Sequence, residues 1–217
     1  MKIVVHDFSG HPFQVQLSRE LARRGHDVVH SSCAAYVSGK GKLEAEPGET
    51  LRFETVGDGI VFDKGRFVHR LVMELRLGID LVRHVRAERP DVVLLSNVQI
   101  PTLTLFAFVM MFFRTPWVLW HQDVYSVAVR SFAGEKLSKA FGVVAWGFEV
   151  AERFSSRRAR AVVVIADSFV PVHERWGTAD KVTVIPNWAP LDEIVPCERK
   201  NDWAVEHDLD DTFTLLY

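Results

Sequence analysis

The 217-residue sequence predicts a doubly wound α/β domain built on a parallel sheet. Three observations predict it. Short apolar runs of strand length alternate with helical segments almost from the first residue. The apolar share of 48% suits a packed core and argues against disorder. Several of the strand-like runs are apolar throughout and end in polar or ionisable side chains, as strands buried on both faces do.

The first strand is Ile3 to His6. A turn through Ser9, Gly10, His11 and Pro12 leads to a helix that points Val15, Leu17, Leu21 and Ala22 inward and Arg19, Glu20, Arg23 and Arg24 outward, with Gly25 as its stop. HDVVHSSC is a second strand, GKGKLEAEPGET a loop, and LRFETVG a third strand. GRFVHRLVMELRLGIDLVRHVRAERP reads as a long amphipathic helix ended by Pro90. DVVLLSN is a buried strand, IPTLTLFAFVMMFFRTP a very apolar helix, and WVLWHQD the next strand. A helix from about Glu135 to Ser156 follows, then the strands AVVVIADS and KVTVIPN with the short helix FVPVHERWG between them. The closing TFTLLY reads as the first strand of a further unit, which suggests a domain over residues 1–190 and a linker with the start of a second domain over 191–217.

Between Val98 and Trp120 the chain approaches the composition of a membrane span. Arg114 and Thr115-Pro116 interrupt it short of the roughly 20 apolar residues a span requires. A helix buried on the sheet is the expectation. Phe106, Phe108, Met110, Met111, Phe112 and Phe113 nevertheless exceed one buried stripe, which leaves a face that could dip into one leaflet. The net charge of −2 selects no nucleic acid. Arginines and lysines crowd 64–89 and 130–160, as solvated helix faces do and as a surface meeting phosphate or anionic lipid would. Cys33 and Cys197 form no disulfide framework, and no apolar leader precedes the first strand, so a reducing cytoplasm is expected.

Ligands of an open parallel sheet bind beyond the carboxyl ends of its strands. There the sequence places His6, Asp7, Ser9, Gly10 and His11 after the first strand and Asn97 after the fourth. His121, Gln122, Asp123 and Tyr125 follow the fifth, Asp167 and Ser168 the sixth, and Asn187 the last. Gly10 permits close approach to a ligand, and the helix start behind it either favours an anion or is capped by Ser9. His121 either acts as a base or sugar-hydroxyl partner, or packs against Trp120; Asp123 either orients it or caps the next helical turn. No spacing supports a metal site, and neither a Walker motif nor a nucleophile elbow is present.

Four stretches taken together, HDFSGHPFQVQLSRELARRGHDV, WHQDVYS, RRARAVVVIADSF and VTVIPNWAPLDE, resemble the N-terminal half of GT-B glycosyltransferases of the family 4 type, near the colanic-acid and O-antigen sugar transferases. The resemblance spans essentially the whole chain, and WHQD with VIPNW is its most specific part. It implies a Rossmann-like acceptor-binding domain facing a second domain that holds a nucleotide-diphosphate sugar. It further implies a retaining, metal-independent transfer to a glycan or lipid-linked acceptor, with peripheral contact to the inner membrane face. By this likeness Gly10 approaches donor phosphates and acceptor, His121 stands beside the transferred sugar, Asp123 is the acidic member of a Gln-Asp pair, and Asn187 opens the hinge. The donor-binding glutamate pair of such enzymes lies in the second domain, so this half alone is expected to be inactive. Two other readings stay open: a membrane-recruiting subunit of a split transferase, and a nucleotide-sugar epimerase of the same architecture.

Overall fold

A computed structural model of the chain describes residues 1–35, 42–63, 65–133, 139–189, 191 and 196–213. β1 (Lys2–Asp7) leads into α1 (Pro12–Arg23), β2 (Asp27–Cys33) and β3 (Arg52–Val56). α2 (Phe67–Glu88), β4 (Val92–Ser96), α3 (Ile100–Met110) and β5 (Trp117–His121) follow. Then come α4 (Tyr125–Ala133), α5 (Lys139–Arg158), β6 (Ala161–Val164), α6 (Val170–Trp176), β7 (Val182–Val184) and α7 (Asp202–Glu206). The strands form one parallel sheet in the order β3-β2-β1-β4-β5-β6-β7. The order reverses between β1 and β4, the switch point beyond which ligands of such sheets bind.

Burial explains why these apolar runs are strands. Val4, Val29, Val93, Leu95, Leu119, Val162 and Val164 face a core completed by Leu77 and Leu81 of α2 and Phe106 of α3. Ile3, Val5 and Val28 face the other way, under Leu21 and Ala22 of α1. Each fully buried leucine or phenylalanine contributes about 1.5–3 kcal/mol. α2 crosses α3 at Gly78, where an added Cβ would lie 3.0 Å from Leu105 Cδ2 and 3.3 Å from the Thr102 carbonyl. The Thr102 hydroxyl donates to the Glu74 carbonyl at 2.6 Å in the same crossing.

Three expectations change. α1 buries Gln14, Ser18 and Arg19 as well as apolar residues. Arg19 pairs with Glu49 and donates to the carbonyls of Lys42 and Glu44, so the segment before β3 covers a side of the helix that its charge pattern marks as solvated. The stretch after β5 contains a helix, α4, ahead of α5; the expected start of the latter near Glu135 lies outside the described residues. α3 is buried through Phe106, Ala107 and Met110, and only Phe108, Met111 and Phe112 at its end are exposed. Among the described residues no helix is long and apolar enough to cross a membrane. Most of TFTLLY, from Thr214 onward, lies outside the described residues.

Candidate active-site crevice

The first wall of the crevice is the turn after β1. Asp7 is fully buried and accepts the backbone N–H of His11, while its carboxylate lies 3.0 Å from His11 Nδ1. The start of α1 therefore already holds a carboxylate, which the helix dipole favours. Asp7 takes the N–H of the residue that precedes the helix, and Ser9 does not cap it. Gly10 adopts φ +70, a left-handed backbone that favours glycine, and a Cβ there would stand 3.2 Å from Leu43 Cδ1. The Ser9 hydroxyl instead accepts from Asn97 Nδ2 at 2.7 Å, tying the β1 turn to the β4 turn. Asn97 has φ +54, a left-handed conformation that asparagine tolerates. Below them Gln14 Nε2 donates to Ser96 Oγ at 3.1 Å.

His11 binds its proton more tightly than an ordinary histidine. The hydrogen bond to Asp7 is the largest cause; partial burial opposes it, and the charges of Asp7 and Asp123 reinforce it. Asp123, exposed at the end of β5, thus acts electrostatically on a residue of the β1 turn. The sequence places both at strand ends, and the sheet order sets them close enough to interact.

The second wall starts at His121, which is buried at the end of β5. Its Nδ1 lies 3.2 Å from His173 Nε2, and His173 Nδ1 lies 2.9 Å from Thr178 Oγ1. Burial pushes the pKa of His173 down to about 4, so this ring is neutral near pH 7. The Thr178 hydroxyl donates to the His173 carbonyl at 3.3 Å. The 3.2 Å contact couples the two rings, with donor and acceptor set by their tautomers. His121 Nε2 lies 3.8 Å from Glu152 Oε1. Glu152 is buried and accepts the N–H groups of Tyr125 at 2.7 Å and Ser126 at 3.1 Å, holding the start of α4.

Asn97, His121, Gln122, Asp123, Tyr125 and Glu152 line one cavity of about 20 Å³, room for about a single water. A second cavity, about 280 Å³, shares Ile100 and Tyr125 with it and runs outward between α2, α3 and α5. Gln122 and Asn187 exchange amide hydrogen bonds at 2.8 and 3.3 Å. Trp188 Nε1 donates to Gln16 of α1 at 2.8 Å, and its ring meets Phe13 and Trp120 edge-on at 5.6 and 6.0 Å. The segment leaving β7 is thereby strapped from β5 to α1 beside the crevice.

Two expected residues stand elsewhere. His6 lies fully buried on the α2 face of the sheet, its Nδ1 3.0 Å from Ser31 Oγ, with its pKa driven to about 3 by burial. Ser168 is exposed on a 3-10 turn (Asp167–Phe169) after β6 and does not line the cavity. Sequence reasoning missed Glu152 and His173, which lie in helices and not at strand ends. A signal existed for Glu152: Ala145, Phe148, Glu152, Ser155 and Ala159 recur at helical spacing, which puts a carboxylate on an inward stripe.

The family model described as "Glycosyl transferase 4-like domain" matches residues 11–188, from the His11 turn to Trp188. The chain belongs to that family. No curated protein matches it. Among solved structures, this glycosyl transferase 4-like domain is similar to sucrose-phosphate synthase from Thermosynechococcus elongatus, with TM-score 0.62 and 13% identity over 96% of this chain and 53% of that one. It is also similar to UGT73P12 of Glycyrrhiza uralensis, with TM-score 0.54 and 11% identity over 88% of this chain and 49% of that one. A putative UDP-N-acetylglucosamine 2-epimerase from Listeria monocytogenes gives TM-score 0.51 and 11% identity over 86% of this chain and 45% of that one. The glycosyl transferase 4-like domain spans about half the length of these proteins, and at such identities the likeness is one of fold: the Rossmann-like half of a GT-B architecture.

Proposed function

We propose that this domain is the acceptor-binding half of a retaining glycosyltransferase that moves a sugar from a nucleotide-diphosphate sugar to a glycan or lipid-linked acceptor in cell-surface polysaccharide synthesis. It works in the cytoplasm, peripherally at the membrane. Residues 1–190 form the acceptor domain and 191–217 lead toward a donor-binding domain. One observation carries the reading: within a glycosyl transferase 4-like domain, polar groups from the β1, β4 and β5 ends meet at the switch point of the sheet.

In this reading Asp123 orients the attacking acceptor hydroxyl from the open side of the crevice. His121 offers its imidazole to a hydroxyl of the transferred sugar or acceptor and is oriented by His173. The His11 ring, hydrogen-bonded to Asp7, faces the departing diphosphate. Asn97, Gln122 and Tyr125 position hydroxyls. The hydroxyl oxygen bonds to the sugar C1 as the C1–diphosphate bond breaks, and the hydroxyl proton leaves with the diphosphate. Geometry of this kind is useful only once both halves close on the substrates.

The deciding experiment gives the full-length protein membranes and a panel of radiolabelled UDP- and GDP-sugars. Label is expected in the lipid or glycan fraction, and Asp123→Asn is expected to lower that transfer about 100-fold or more. Interconversion of free nucleotide sugars without an acceptor would sink the transferase reading in favour of an epimerase.

A further inference from the structure

The outward faces of α2 and α5 do not look like solvated helix surface. Along the first half of α2 the exposed apolar positions are Phe67, Val68, Leu71, Val72, Leu75 and Ile79, with Phe67 and Val68 each 72% exposed. Between them the exposed charges are Arg70 and Arg76 alone. Over residues 142–150 of α5 the exposed positions carry no charge at all, and Trp146 is 62% exposed. Arg153 extends the stripe of Trp146 and Val150, and Arg66 stands at the start of α2. The carboxylates of this region, Glu74, Glu149 and Glu152, are wholly or partly buried and engaged with Arg70, Arg130 and the α4 backbone. Among the described residues, the exposed positions of 66–79 and 142–153 are thus arginine, apolar or glycine, and the one partly exposed carboxylate, Glu149, is paired with Arg130.

That charge pattern selects the occupant. A second copy packed on this face about a two-fold axis would set arginine against arginine. A surface of large apolar side chains with an arginine rim suits a leaflet with acidic headgroups: the apolar groups enter the acyl boundary and the guanidinium groups meet phosphate. The 280 Å³ cavity is lined from both helices, by Phe67, Arg70 and Leu71 on one side and Phe148 on the other, and shares Ile100 and Tyr125 with the crevice. We propose that the α2–α5 face docks on an anionic phospholipid leaflet and that this cavity admits the lipid portion of the acceptor. The first statement stands on the surface alone, and the second rests on the transferase reading above. The leaflet contact is thus assigned to α2 and α5, not to the phenylalanine-rich end of α3.

Flotation of the full chain with phosphatidylglycerol vesicles and with phosphatidylcholine vesicles tests it. The chain is expected to float with the first and not the second, and to be released by high salt. Phe67→Ser with Trp146→Ser, both at exposed sites, should abolish flotation. Arg66→Gln with Arg153→Gln should weaken it roughly 20-fold, about fivefold per arginine beside an anionic surface. Phe112→Ser, at the end of α3, should change nothing. Absence of flotation, equal flotation of the Phe67/Trp146 variant, or a concentration-dependent dimer that this variant disperses would each overturn the docking face. Sugar transfer to a soluble glycan with no vesicle binding would sink docking and leave the transferase; vesicle binding with no transfer would do the reverse.

Discussion

At the scale of single residues, the informative feature is a file of buried polar groups in contact. Glu152, His121, His173 and Thr178 follow one another at 3.8, 3.2 and 2.9 Å. His121 alone is ambiguous in the sequence, because a histidine at a strand end packs as readily as it reacts. His173 fixes the orientation of its ring. Replacing His173 with Phe removes that contact and should change the side-chain ¹⁵N shifts of His121 and lower transfer while leaving acceptor KM nearly unchanged. Identical shifts in both proteins would show that His173 is packing only. His11, Asp7 and Asp123 teach a related lesson: each was legible as a polar strand-end residue, but their electrostatic coupling needs two turns that are more than 100 residues apart to meet.

At the scale of elements, the helices and strands were legible wherever burial imposed a period. VVLLS and AVVV, unbroken apolar runs, are central strands β4 and β6. α4 was missed because it covers only nine residues, too few to display a helical period; Glu152 of a neighbouring helix supplies its N-terminal acceptor. Arg19 was placed outside because the segment that covers it, 42–49, has no periodicity of its own. Packing between elements makes its own prediction. Gly78→Val adds atoms where α2 already touches Leu105 and the Thr102 carbonyl, and should cost about 1–3 kcal/mol in urea unfolding through overpacking. Gly48, with open space around its missing Cβ but φ +87, would lose stability through backbone strain, so Gly78 is the site where the loss grows with side-chain size.

At the scale of the molecule, buried histidines set the acid limit. His6 is held to about 3 and His30 and His173 to about 4, all by burial, against an ordinary 6.5. Between those values the unfolded chain binds protons that the folded chain refuses. Stability from these groups is therefore complete above pH 6.5 and falls as pH drops toward 4. From pH 7 to pH 5 the loss is roughly 2 kcal/mol for each such histidine. His11 acts in the opposite sense: its raised pKa gives stability that is fully present below 6.5 and fades as pH rises through the folded value. Urea midpoints measured across this range should fall steeply on the acid side, and a flat profile would refute the buried neutral rings.

By itself the sequence determined the strands, most of the helices, their parallel arrangement and the set of strand ends that bear chemistry, because apolar periodicity and chain direction are local properties written in consecutive residues. Tertiary structure alone decided that Asp7 fills the helix start, that Glu152 and His173 flank His121, that His6 turns into the core, and which helix faces stay apolar and uncovered. Those outcomes depend on which strands become neighbours in the sheet and which segments fold across them. Hydrogen bonds and desolvation act through space over a few ångströms, between residues whose separation along the chain carries no trace of the contact.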